Sequence, residues 1–137
     1  MPRLLAIDYG TKRTGIAVSD PLQLIANGLT TVRSHELLQF LEQYTKTEQV
    51  ETFIIGMPRT LRNEDAENTK YVKIFAKQCA QKFPHIPIVF IDERFTSTMA
   101  HQTMRDAGLR KTARQNKELV DSISATIILQ SYMEQKK

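Results

Sequence analysis

The chain carries a single cysteine, Cys79, so it holds neither an internal disulfide framework nor a cysteine-rich zinc site. Its three histidines, His35, His85 and His101, show no metal-ligand spacing and receive no role. No apolar run is long enough to span a bilayer. Met1-Pro2-Arg3 leads straight into a strand-like segment, without a secretory pattern. No internal repeat, low-complexity stretch or linker divides the chain. These absences leave an expectation of one cytoplasmic domain over 1–137, with enough length to bury a respectable core and no membrane partner. The net charge is +4, which weakly favours a polyanionic partner and makes the location of the charge the informative quantity.

The present features begin with Leu4–Ile7, an apolar run that ends in Asp8. A Gly-containing polar turn with Lys12 and Arg13 follows, and a second apolar run covers Gly15–Val18. This pattern predicts a β-hairpin, closed by a break at Asp20-Pro21. Gly28–Arg33 predicts a third strand. Ser34 is placed to cap a helix from His35 to about Glu48, with Leu37, Leu41 and Tyr44 on one face. Phe53–Ile55, ended by Gly56 and Pro58, has the continuous apolar character of a buried parallel strand. A helix is expected from about Glu64 to Lys82, with Val72, Ala76, Cys79 and Phe83 on one side, which makes Cys79 a core residue. Ile88–Ile91 is another buried strand, stopping at Asp92-Glu93-Arg94.

Beyond it, Thr96 or Ser97 caps a helix bearing Ala100, Met104 and Ala107, with Gly108 as terminator. Residues 109–117 are basic and aperiodic. A last helix runs from about Glu118 to Glu134, with Val120, Ile123 and Ile127 on one apolar face, widened by Leu119 and Ile128. The fold class expected is α/β, a five-stranded mixed sheet with helices on both faces.

Ligands of such sheets sit at the carboxyl ends of the parallel strands. Asp8 ends the first strand, and Asp92-Glu93 ends the last. Asp121 shares a helical stripe with Ala125, Ile128 and Tyr132. An acid on a stripe that is otherwise small or apolar is expected to face inward, toward the rim that holds Asp8 if the helix packs across the sheet. Carboxylates 4 Å apart repel by about 4 kcal/mol at an effective dielectric near 20. A divalent cation removes that repulsion, and an all-oxygen donor set indicates Mg²⁺ or Mn²⁺, the ions of phosphoryl chemistry. Bland readings stand beside this one. Asp8 also suits a turn cap, Asp121 a helix N-terminus and Glu93-Arg94 a charged surface. Cations surround the same rim: Lys12, Arg13, Arg59, Arg62, Arg94, Arg110, Lys111, Arg114 and Lys117. Scattered cations of this kind neutralise a phosphate backbone without reading its sequence.

Four segments together resemble the YqgF family, the RuvX-like RNase H-like proteins. They are Asp8-Tyr9-Gly10-Thr11-Lys12-Arg13-Thr14-Gly15 with Ser19-Asp20, then Gly56-Met57-Pro58, then Asp92-Glu93-Arg94-Phe95-Thr96-Ser97, and finally Lys117 with Asp121, Ala125, Ile128-Leu129-Gln130 and Tyr132. The resemblance covers essentially the whole chain in order. It implies an RNase H-like fold, a metal-dependent nuclease, and Asp8, Glu93 and Asp121 as catalytic and metal-binding acids. Two departures stand out. Asn63 occupies the place near which the family carries a glycine. Gly56 stands where better-known RNase H-like resolvases place an acid within the fourth strand. The expected activity is hydrolysis at the 5′ end of precursor 16S ribosomal RNA in ribosome biogenesis. Holliday junction resolution is the alternative within the class. A non-catalytic RNA-binding assembly factor is the alternative outside it. A nucleotide-dependent kinase, suggested by the Asp-x-Gly-Thr hairpin, lacks the length for a second lobe. Precursor rRNA is the favoured partner and branched DNA the second, with monomer and homodimer both open.

Overall fold

The computed structural model describes the backbone of residues 2–57, 69–92 and 117–136, and their side chains except those of 92, 117–122, 135 and 136. Five strands form one sheet in the order β3-β2-β1-β4-β5. They are β1 (Arg3–Asp8), β2 (Arg13–Ser19), β3 (Ala26–Arg33), β4 (Val50–Met57) and β5 (Ile88–Asp92). The β1/β2 and β2/β3 pairs are antiparallel, and the β1/β4 and β4/β5 pairs are parallel. The expected mixed sheet is therefore present, each strand reaching one to three residues beyond its apolar run at one or both ends.

The central strand β1 is apolar on both faces because both are covered. Leu5 and Ile7 join Ile16, Val18, Phe53, Ile55 and Met57 in one core, under the helices α1 (Leu37–Thr47) and α2 (Thr69–Lys82). Leu4 and Ala6 join Ala17, Ile54 and Ile91 in a second core, under α3 (Lys117–Lys136). This alternation is the period of two expected of a strand. Each fully buried Leu or Ile in these cores contributes about 1.5–3 kcal/mol of transfer free energy. Phe53 meets Phe83 edge-on at 5.5 Å between ring centroids. Lys82 Nζ reaches Glu42 Oε2 at 2.6 Å and ties α2 to α1.

Two expectations change. Ser34 is not a helix cap. Residues Ser34–Glu36 form a 3₁₀ turn, and α1 starts behind Glu36 with no side-chain cap. The Ser34 hydroxyl is committed elsewhere, to Gly10 and Thr14. The apolar face expected of α3 holds only in part, for Ile127 and Ile128 are buried while Ile123 is only half-buried. The stripe packed in the second core is Ala125, Ile128, Leu129 and Met133, with Tyr132 beside it, which includes the stripe expected to face inward. A helix whose apolar residues spread around much of its circumference does not declare the whole of its buried face, and here the sheet chose the rest. Cys79 is fully buried, as its helical spacing predicts. The expected start of α2 at Glu64, the capped helix after Thr96 and the basic stretch at 109–116 lie outside the described residues. No described helix is long and apolar enough to cross a membrane.

Candidate active site at the sheet rim

One rim of the sheet gathers the carboxyl ends of β1, β3, β4 and β5 and the start of β2. Strand polarity alone produces this grouping, since β1, β4 and β5 run together and β2 runs against them. Asp8 is the last residue of β1 and is half-buried. It alternates with Leu4 and Ala6, which pack against α3, so it lies on the α3 side of the sheet. Its register partner on β2 is Gly15. Ile7 pairs with Ile55 on β4, and Gly56 follows Ile55. Asp8 thus stands between strands that carry no side chain beside it, an arrangement that leaves room for a close-approaching ligand.

The helix α3 crosses the same face, packing over β2, β3 and β1 and reaching β4 and β5. Ala125 and Ile128, which share the helical stripe of position 121, are fully buried against the sheet. Position 121 falls one turn before Ala125 along α3. The Asp121 and Lys117 side chains lie outside the described residues, although their backbone belongs to α3. Asp92 closes β5, paired with Met57 at the end of β4. Glu93, Arg94, Arg59, Arg62, Arg110, Lys111 and Arg114 lie outside the described residues. Among the described residues, no three His, Cys, Asp or Glu groups cluster as a metal site. Of the three predicted acids, only Asp8 has its side chain in that set.

The turn between β1 and β2 is tightly built. A side chain on Gly10 would overlap the Arg13 carbonyl oxygen, so the position accepts only glycine without a shift. Ser34 donates its hydroxyl proton to the Gly10 carbonyl. Its oxygen then accepts from Thr14 Oγ1 at 2.9 Å, and its backbone N–H donates to the Lys12 carbonyl at 3.0 Å. Tyr9 stacks on Phe75 of α2 at 5.1 Å, and partial burial raises its phenol pKa. Lys12 is exposed and Arg13 half-buried on this turn. Beside them lies a hollow of about 770 Å³ lined by Thr11, Lys12, Arg13, Thr31, Val32, Arg33, His35 and Glu36. Arg33 and His35 were not among the expected cations. Their only sequence signal was position, at the end of a strand that proves to finish on the same rim.

An acid at the carboxyl end of a central strand, a 3-2-1-4-5 mixed sheet and a helix laid across the acid's face define an RNase H-like nuclease fold. More narrowly, the chain belongs to the RuvX family: that family's model, described as Holliday junction resolvase, matches residues 2–135. It is a family of nucleases, and the enzyme class is phosphodiester hydrolase. The chain is 59% identical over 137 residues to a Bacteroides thetaiotaomicron protein named "Putative pre-16S rRNA nuclease", covering 100% of this chain and 99% of that one. A Porphyromonas gingivalis protein of the same name is 54% identical, covering 98% of this chain and 97% of that one. Among solved structures, the fold is similar to Thermus thermophilus RuvC in complex with a Holliday junction substrate, with a TM-score of 0.59 at 14% identity. That match covers 100% of this chain and 98% of the other. Fowlpox virus resolvase, solved with Holliday junction DNA, gives a TM-score of 0.63 at 12% identity, covering 98% of each chain. At such identities the likeness is one of fold.

Proposed function

We propose that the protein is a metal-dependent nuclease that trims the 5′ end of precursor 16S rRNA, acting in the cytoplasm as a single domain over 1–137. The carrying observation is Asp8, half-buried at the carboxyl rim of β1 between Gly15 and the Gly56 position, on the face crossed by α3. A carboxylate in that setting needs a cation or a donor, and the oxygen-only chemistry of Asp8, Glu93 and Asp121 suits Mg²⁺ or Mn²⁺. These three acids would hold the ion, which supplies Lewis-acid polarisation of the phosphate and a water of lowered pKa.

The chain's own groups do the remaining work. Lys12 and Arg13, on a turn locked by Ser34, neutralise and orient the phosphate next to Asp8. The expected products are a 3′-hydroxyl and a 5′-phosphate. Arg59, Arg62, Arg94, Arg110, Lys111, Arg114 and Lys117 are the further cations this reading assigns to the phosphate backbone. The names of relatives at 50–59% identity support the RNA substrate. The family model's description supports branched DNA as the second reading.

Cleavage assays with an RNA spanning the 5′ junction of precursor 16S rRNA and with a four-way DNA junction, each with Mg²⁺ or Mn²⁺, test both readings. The expected result is metal-dependent cleavage of the RNA, reduced by about 100-fold or more in Asp8→Asn. Equal cleavage by the wild type and Asp8→Asn overturns the mechanism. Cleavage of the junction alone moves the substrate to DNA.

A further inference from the structure

We propose that the hollow between the β1–β2 turn and the end of β3 is a binding site for the phosphodiester backbone of the substrate, with Arg33 as its principal contact. The proposal rests on the nuclease reading and extends it to a surface reaching away from the scissile bond. Arg33 and Arg13 are direct register partners across the antiparallel β2/β3 pair. Arg13 is already engaged by a neighbouring group, so Arg33 is the guanidinium that this pair offers to an incoming anion. Among the described residues, the hollow adds Lys12 and His35 to this pair and holds one acid, Glu36, so the balance of these groups is cationic. Among the described residues, neither Lys12 nor Arg33 makes an ion pair, whereas His35 faces Glu36 at 3.5 Å.

The site is preformed. Ser34 joins its two walls by bonding to Gly10, Lys12 and Thr14 of the opposite turn, so the cations need no loop closure before binding. It is also continuous with Asp8. Gly15 is the partner of Asp8 on one side and of Thr31 on the other, and Arg13 and Arg33 follow on the same face. Strand spacings place the Arg33 backbone about 12 Å from that of Asp8, the reach of a couple of nucleotides. Guanidinium groups favour bidentate phosphate contacts, and the open hollow suits a passing backbone more than an enclosed mononucleotide.

The experiment is fluorescence anisotropy of the full chain in EDTA, with labelled single-stranded RNA, single-stranded DNA and a four-way junction, across a salt series. Arg33→Glu should raise Kd at least tenfold at low salt and flatten the log K against log salt slope by about one for each phosphate no longer neutralised. Arg33→Lys should retain most of the affinity, and Glu36→Gln should tighten binding a few-fold. Lys46→Glu makes the same change of charge near the C-terminus of α1, away from the rim, and should stay within twofold of wild type. Wild-type affinity in Arg33→Glu, or equal damage from Lys46→Glu, overturns the proposal. If Arg33→Glu fails to fold, unchanged affinity in Glu36→Gln overturns it instead. If Asp8→Asn abolishes cleavage while Arg33→Glu binds as wild type, this site falls alone. If the wild type binds no polynucleotide, the nuclease reading falls with it.

Discussion

Ser34 has a hydroxyl with one proton to give, and it goes to the carbonyl of Gly10. Its oxygen is then the acceptor for Thr14, whose side chain is wholly inaccessible to solvent. Ser34→Ala removes both bonds and strands a buried hydroxyl, which costs about 1–3 kcal/mol. Urea unfolding should therefore show a lowered midpoint with an unchanged m-value, and an unchanged midpoint would show the clamp to be idle. Asp8 was legible as an acid closing an apolar run, because that contradiction is local. Arg33 was not. It ends a Thr- and Val-rich segment, and only the β2/β3 register reveals that it faces Arg13. Ser34 was misread for the same reason. A serine before a helical pattern suits a cap, but the hairpin turn competes for its hydroxyl through tertiary contact.

Between elements, two carboxylates link structure to pH. Asp20 Oδ1, in the turn joining β2 to β3, accepts backbone N–H bonds from Ile25 and Leu24, both at 2.7 Å. The bond from Ile25 leads in holding its pKa below the ordinary value. Glu42 on α1 is lowered chiefly by its hydrogen bond to Lys82 of α2, and then by that cation's charge. Both folded-state values lie below the unfolded ones. Unfolding therefore takes up protons, and the stability these groups contribute is present above their unfolded values of about 4. It is lost as pH falls through the depressed folded values. Thermal unfolding should drop on acidification below about pH 4, and Asp20→Asn should make that limb shallower. An identical acid limb in the variant would remove Asp20 from the account. Asp20 also shows what a motif conceals, since Ser19-Asp20 belongs to the family pattern yet works as a turn. Ser19 accepts the Leu4 N–H at 2.9 Å and Asp20 closes the bend.

Across the whole molecule, the sheet is sandwiched between two cores, and Cys79 belongs to the larger by its position on α2. Burial pushes its thiol up to about 12, so the native side chain is neither accessible nor a thiolate at neutral pH. Thiol-specific reagents at about pH 8 should leave the folded protein unlabelled and react stoichiometrically in denaturant. Because the chain has one cysteine, the slow native rate reports opening of the core at a single place. Rapid labelling of the native protein would show that α2 opens independently of the sheet.

The division between chain and fold follows from the range of the forces involved. Periodicity, turn residues and apolar runs are local, so the sequence by itself determined five strands, the two described helices before β5, the last helix and the parallel and antiparallel halves of the sheet. It also marked Asp8, because a carboxylate at the end of a buried run is costly unless something compensates it. Register and helix rotation depend on packing between segments far apart in the chain. Only the tertiary structure decided that Leu129 and Met133 join the packed stripe of α3, that glycine positions flank Asp8, and that Arg13 faces Arg33 across β2 and β3. Those juxtapositions answer to close packing across strands, which no stretch of sequence contains on its own.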